Sequence, residues 1–114
     1  MKYETFRDWI VIYIITFMLF VVVYQCGVYF HEQTHRTVAN NYGCIDSTID
    51  INFLADSYFQ CHEYQGRTDE MKEKQLMLDS LNEVIWYNLN VIIALMFVVT
   101  TAYMVINLWR VGNK

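Results

Sequence analysis

The fold is decided by a charge-free run of 22 residues, WIVIYIITFMLFVVVYQCGVYF, at positions 9–30. At 1.5 Å per residue, a helix of this length extends about 33 Å, enough to cross the roughly 30 Å hydrocarbon core of a bilayer. The run is longer than the apolar core of a cleaved signal peptide, and no small-residue cleavage site follows it. It therefore predicts a retained transmembrane helix over residues 9–30.

A second charge-free run, VIWYNLNVIIALMFVVTTAYMVINLW, occupies positions 84–109 and predicts a second transmembrane helix. The 114-residue chain is 55% hydrophobic, and its apolar residues are concentrated in these two runs. A net charge of −4 leaves no basic patch for nucleic acid, so nucleic-acid binding is excluded. The predicted fold class is an all-α membrane protein: an antiparallel hairpin of two transmembrane helices, in contact with lipid, with an extramembrane loop.

The chain after residue 30 contains no helix breaker before Gly43. Glycine at such a position suits the left-handed conformation that often ends a helix. The first helix is therefore predicted to extend beyond the membrane over residues 31–43.

Three further segments complete this single membrane domain. Residues 44–67 alternate loosely between apolar and polar side chains, which permits a short strand, and are assigned as a loop. Residues 68–83 are predicted to form an amphipathic helix that starts at Thr68 or Asp69 and continues into the second transmembrane helix, residues 84–109.

Basic residues near the two apolar runs predict the orientation of the hairpin. The positive-inside rule counts Lys and Arg close to the membrane, and the short terminal segments carry four of them: Lys2, Arg7, Arg110 and Lys114. Residues 31–83 hold ten acidic residues against four basic ones. Both termini are therefore predicted to be cytoplasmic, and residues 31–83 extracytoplasmic.

The sequence HEQTH, residues 31–35, follows the first apolar run directly. On a helix, His31 and His35 lie on one face, where two neutral imidazoles can share a zinc ion. Glu32 can then act as a general base towards water at the metal. At these three positions the chain resembles the zincins, a class of zinc metallopeptidases, and this resemblance implies zinc as the cofactor and Glu32 as the catalytic residue.

A third zinc ligand must come from elsewhere in the chain. In the gluzincin branch of the zincins it is a glutamate on a later helix, and Asn82-Glu83 resembles that element. Glu83 is also predicted to lie level with His31 at the membrane surface. Asp79, one turn earlier, and His62 are the alternative ligands. The aspartate that follows the family's glutamate by four residues is replaced here by Tyr87.

The three cysteines differ in location. Cys26 lies within the first apolar run and is interpreted as a packing residue. Cys44 and Cys61 both lie in the segment placed outside the cytoplasm, where thiols are oxidised. They are predicted to form a disulfide that stabilises the protein by about 3 kcal/mol.

Two classes of function are consistent with these features. The first is a small membrane-anchored zinc metallopeptidase that cleaves peptide segments near the outer membrane face. The second is a non-catalytic subunit of a larger membrane complex, with a structural metal. A stripe of small and polar residues in the second helix favours either packing on the first helix or homo-oligomerisation: Asn90, Ala94, Phe97 and Thr101. An open metal position favours the enzyme, and a closed four-ligand site favours the subunit.

Overall fold

The computed structural model describes residues 5–114, so the predicted contribution of Lys2 to the orientation lies outside the described residues. The described chain forms two long helices with a two-stranded antiparallel sheet between them in sequence. In chain order the elements are α1 (Phe6–Asn41), β1 (Cys44–Asp50), β2 (Tyr58–Tyr64) and α2 (Asp69–Gly112).

Both helices are continuous and, by length and composition, apolar enough to cross a membrane. The end of α1 is marked by Gly43, whose φ of +97° lies in the left-handed region. A Cβ atom on Gly43 would lie 2.7 Å from the carbonyl oxygen of Gln65, so glycine is required there. At the start of α2, the backbone N–H of Met71 donates to Oγ1 of Thr68 over 3.2 Å, which makes Thr68 the N-cap.

The segment assigned as a loop contains the two strands, so the predicted all-α class is corrected to a helical protein with a small sheet. The strands pair in antiparallel register, with Ile49 opposite Phe59 and Thr48 opposite Gln60. β-Branched and aromatic side chains at such cross-strand positions stabilise a hairpin. The loose alternation in the sequence is therefore the signature of a strand pair.

The predicted Cys44–Cys61 disulfide is confirmed, with the two Cα atoms 6.1 Å apart. It joins the first residue of β1 to the middle of β2. Because β1 follows the end of α1 almost immediately, the disulfide fixes β2 close to the part of α1 that carries the two histidines.

Residue contacts divide the chain into two compact units. The first combines the start of α1, up to Tyr24, with the end of α2, from Asn90. The two helix segments pack in antiparallel fashion through aromatic contacts, since Trp9 meets Tyr103 while Phe17 and Phe20 both meet Phe97.

The second unit, Gln25–Leu89, contains the sheet, the end of α1 and the start of α2. Its buried side chains include both apolar residues, such as Val28 and Ala39, and polar ones. The buried polar residues are His31, Glu32 and Gln75. Burying polar and ionisable groups is unfavourable unless they are partnered, so these three mark the candidate site.

Candidate metal centre

His31 and His35 lie one turn apart on α1, and their imidazole rings meet edge to face. The ring centroids are 4.7 Å apart and the planes are inclined by 85°. No proline or glycine interrupts this turn, so the spacing of four residues in the sequence becomes a shared helix face.

Glu83 reaches both histidines from α2. Its Oε1 atom lies 3.4 Å from Nε2 of His31 and 2.9 Å from Nε2 of His35. The three ligand atoms all lie within 4.8 Å of one another, so this group could hold a metal ion. The neighbouring Asn82 fixes α2 at this level, because its amide Nδ2 donates to the carbonyl oxygen of His31 over 3.3 Å.

The second ring nitrogen of His35 faces a different carboxylate. Nδ1 of His35 lies 2.8 Å from Oδ1 of Asp79. Asp79 Oδ2 in turn accepts a hydrogen bond of 3.4 Å from Nε2 of Gln75, which also donates to the hydroxyl of Tyr64 over 3.0 Å. Asp79 therefore lies behind His35, on the side of the ring away from Glu83.

His31 is held by packing. Its ring stacks on the indole of Trp86, with centroids 5.1 Å apart and planes inclined by 22°. Trp86 reaches this position across Gly27, where a Cβ atom would lie 2.8 Å from the indole ring. Among residues 5–114, Nδ1 of His31 is buried without a hydrogen-bond partner. The stacked indole, rather than a hydrogen bond at Nδ1, sets the orientation of this imidazole.

The carboxylate of Glu32 lies beside the three candidate ligands. Its Oε1 atom is 3.9 Å from Nε2 of His31, and its side chain is only 8% exposed. The backbone of Phe59, on β2, donates a hydrogen bond to Glu32. Glu32 is thus enclosed between α1 and the sheet.

Burial changes the pKa values of two groups in opposite directions. It lowers the pKa of His31, against an opposing effect of the nearby Glu83 carboxylate. It raises the pKa of Glu32, which the neighbouring His35 and the Phe59 hydrogen bond partly offset. A lowered pKa keeps an imidazole neutral and able to bind a metal, and a raised pKa makes a carboxylate a better proton acceptor.

A cleft of about 580 Å³ opens beside this cluster. Glu32, His35, Asp79 and Glu83 line it on the helical side, and β2 lines the other side. Small-molecule and peptide sites commonly have volumes of 300–1,000 Å³. The cluster is therefore accessible from the cleft, although His31 itself is buried.

The structure thus brings together His31, His35 and Glu83 and places Glu32 next to them. It places Asp79 on the far nitrogen of His35, and His62 in a 2.8 Å hydrogen bond with Thr48 on the neighbouring strand. Tyr87, at the position of the family's aspartate, is 70% exposed.

The sequence interpretation did not identify Gly27, Gln75 or Trp86 as part of the site. One signal was available: Gln75, Asp79 and Glu83 recur every four residues and form a polar stripe on α2. No comparable signal marked the Gly27–Trp86 contact, which depends on how the two helices face each other.

Comparisons with protein-family models, curated proteins and solved structures found no match to this chain.

Proposed function

We propose that this chain is a membrane-anchored, metal-dependent peptidase with its metal held by His31, His35 and Glu83. One observation carries the proposal: the ligand atoms of these residues converge while the carboxylate of Glu32 lies 3.9 Å from Nε2 of His31. Two imidazoles, one carboxylate and an adjacent second carboxylate match what hydrolysis at a metal requires.

The donor set fits zinc. Zinc binds imidazole nitrogen and carboxylate oxygen at about 2.0–2.2 Å, so ligand atoms around a tetrahedral ion lie roughly 3.4 Å apart. The His31–Glu83 distance of 3.4 Å has this value, the His35–Glu83 distance of 2.9 Å is shorter, and the three ligand atoms all lie within 4.8 Å of one another. Catalytic zinc takes three protein ligands, which leaves a position for water or substrate.

The charges of the cluster also favour a cation. The carboxylates of Glu32, Asp79 and Glu83 surround two imidazoles within one small volume. With neutral imidazoles this arrangement carries an excess of negative charge, which a divalent cation would offset.

Within this mechanism Glu32 is the general base. His31, His35 and Glu83 would hold a zinc ion, which would supply Lewis acidity to a scissile carbonyl and would lower the pKa of bound water. Glu32 accepts the proton of the attacking water and returns it to the leaving amine. Its burial and its hydrogen bond from Phe59 suit this role, because they hold the carboxylate in one orientation beside the three ligands.

The cleft favours an extended peptide as substrate. In the two-stranded sheet, β2 pairs with β1 along one edge only. Ser57, which precedes β2, and the first four residues of the strand, 58–61, line the cleft beside Glu32 and His35. The Phe59 N–H is already bonded to Glu32, so a peptide backbone in extended conformation would pair with β2 on either side of Phe59 while its carbonyl group reaches the metal centre.

The apolar runs support anchoring of α1 and α2 in a membrane. Large apolar side chains along both helices are exposed, including Leu19, Phe30, Ile92 and Val99, which is typical of helices that face lipid rather than water. The basic residues at the ends favour cytoplasmic termini, so the metal centre lies at the outer face.

Metal analysis of the full chain in lipid nanodiscs tests the proposal. We expect about one zinc ion per wild-type chain, loss of the metal in His35→Ala, and retention in the matched control His62→Ala. His62 is a suitable control because it is exposed and bonds to Thr48, outside the cluster.

Hydrolysis of a quenched-fluorescent peptide library tests the catalytic step. Glu32→Gln should keep the metal and abolish hydrolysis, because it removes the base and no ligand. Glu63→Gln, at an exposed glutamate on β2, should retain both. A wild-type chain that binds metal but cleaves nothing would contradict the peptidase and favour the non-catalytic subunit. Absence of bound metal would contradict the metal-dependent peptidase and the structural metal of the non-catalytic subunit.

A further inference from the structure

The turn between β1 and β2 is bonded to the apolar part of α1. Gln25 donates through Nε2 to the carbonyl oxygen of Asn52 over 3.1 Å. Its Oε1 atom accepts from the backbone N–H of Leu54 over 3.4 Å. One glutamine side chain thus satisfies both a carbonyl group and an N–H group of the turn.

Gln25 lies well inside the first charge-free run. It precedes His31 by six residues on the same helix, which corresponds to about 9 Å along the axis. It also precedes the end of the run at Phe30 by five residues. If His31 marks the membrane surface, the turn bonded to Gln25 reaches below that surface.

Two further backbone groups of the turn have partners within the turn itself. The backbone N–H of Asn52 donates to Oγ of Ser57 over 2.9 Å, and the side-chain amide of Asn52 donates to the carbonyl oxygen of Asp56 over 2.8 Å. Unpaired backbone polar groups are costly in hydrocarbon, so each such bond makes a position of the turn at the membrane interface less unfavourable. With Gln25, four backbone groups of the turn are bonded, which lowers the cost of bringing the turn to the lipid interface.

The apex of the turn presents two large apolar side chains outward. Phe53 is 69% exposed and Leu54 is 59% exposed. Leu54 has a φ of +52°, a left-handed conformation that glycine or asparagine adopts more readily. Within the described chain, the exposed side chain of Leu54 has no packing role that would offset this strain. Contact with lipid would bury the side chain.

We propose that this turn is a third membrane contact, in which Phe53 and Leu54 insert into the same leaflet that α1 leaves at His31. Its partner is the lipid bilayer itself. Asp50 and Asp56 are exposed on either side of the apex, which confines the insertion to the tip and keeps the strands at the surface. The inference rests on the proposed anchoring of α1, but not on catalysis.

The contact also bears on the position of the cleft. Ser57 and Tyr58, which follow the turn, line the cleft near Glu32. With the tip in the membrane, that end of the cleft lies at the lipid surface. This position suits a peptide segment that emerges from the same leaflet.

Depth measurement by electron paramagnetic resonance tests the proposal in reconstituted full-length protein. A nitroxide on the native thiol of Cys26, next to Gln25 and exposed, supplies the reference for the span. A second nitroxide is placed by Phe53→Cys in a Cys26→Ala background. Ile45→Cys in that background is the matched control, since Ile45 is an exposed apolar residue eight positions before Phe53 on the same hairpin.

We expect the label at position 53 to collide with oxygen more than with a water-soluble nickel chelate, as the label at Cys26 does, and the label at position 45 to show the reverse. A label at position 53 that behaves like the one at position 45 overturns the proposal. The label at Cys26 then separates the two failures. If the Cys26 label collides mainly with oxygen, it lies in lipid, and only the proposed insertion of the turn is wrong. If it collides mainly with the nickel chelate, it lies in water, and the proposed anchoring of α1 is wrong as well.

Discussion

Asp79 Oδ1 lies 2.8 Å from Nδ1 of His35, on the opposite side of the imidazole from Glu83. When Nδ1 carries the proton and donates it to Asp79, Nε2 keeps its lone pair and faces Glu83 and the Nε2 atom of His31. A carboxylate behind a metal-binding histidine fixes its tautomer and its orientation in this way. With a metal at the proposed site, Asp79 would therefore act through His35 as a positioning residue.

Asp79→Asn should lower the zinc affinity about 10- to 100-fold, because removal of such a carboxylate weakens the orientation and basicity of the ligand it holds. Competition with a chromogenic chelator measures the affinity. Asp46→Asn, at an exposed aspartate on β1, is the matched control and should leave it unchanged. Equal affinities in wild type and Asp79→Asn would show that Asp79 does not position His35.

Gly27→Ala should also weaken metal binding, although it does not touch a ligand. The added Cβ would lie 2.8 Å from the ring of Trp86, so the indole must shift and its stacking on His31 is disturbed. Chelator competition measures the affinity, and Gly112→Ala is the control. A Cβ at Gly112 meets no atom within 4 Å, so that variant should bind zinc as the wild type does. An unchanged affinity in Gly27→Ala would mean that Trp86 does not orient His31.

The contrast between these residues shows what can be predicted from the sequence. The two helices follow from charge-free runs, and the shared face of His31 and His35 follows from their spacing on one helix. Such features are local, because a few neighbouring residues determine them.

The role of Asp79 and the contact between Gly27 and Trp86 are not local. They depend on the rotation of α2 about its axis relative to α1, to which hydrogen bonds such as that from Asn82 to His31 contribute. Glu83 could be predicted as a ligand because the ends of the two apolar runs place it at the same level as His31. The sheet was not predicted, because its strands alternate only loosely between apolar and polar residues and their pairing is irregular between Cys44 and Ser47.

Loss of the Cys44–Cys61 disulfide should lower the free energy of unfolding by about 3 kcal/mol, from the entropy of a closed loop of this length. The paired variant Cys44→Ser with Cys61→Ser also frees β2, whose residue Phe59 donates to Glu32. Hydrolysis should therefore fall more than metal binding. Denaturant unfolding in detergent, metal content and peptide cleavage measure the three effects.

Cys26→Ser is the control for this change, because Cys26 is a free cysteine of the described chain and lies outside the sheet. It should leave stability, metal content and cleavage near their wild-type values. If the paired variant lost metal and activity in equal proportion, the disulfide would support the whole unit rather than the position of β2.

A comparison of three substitutions identifies the third metal ligand. Glu83→Ala should weaken zinc binding beyond the 10- to 100-fold range expected for a residue that only orients a ligand, because Glu83 Oε1 is the carboxylate atom that both Nε2 atoms face. Asp79→Ala should fall within that range, since Asp79 contacts the other nitrogen of His35. His62→Ala should have no effect, because its Nε2 atom bonds to Thr48. Chelator competition on the three variants measures this order of zinc affinities. If His62→Ala or Asp79→Ala lowered the affinity more than Glu83→Ala does, the substituted residue, His62 or Asp79, would be the third ligand instead of Glu83.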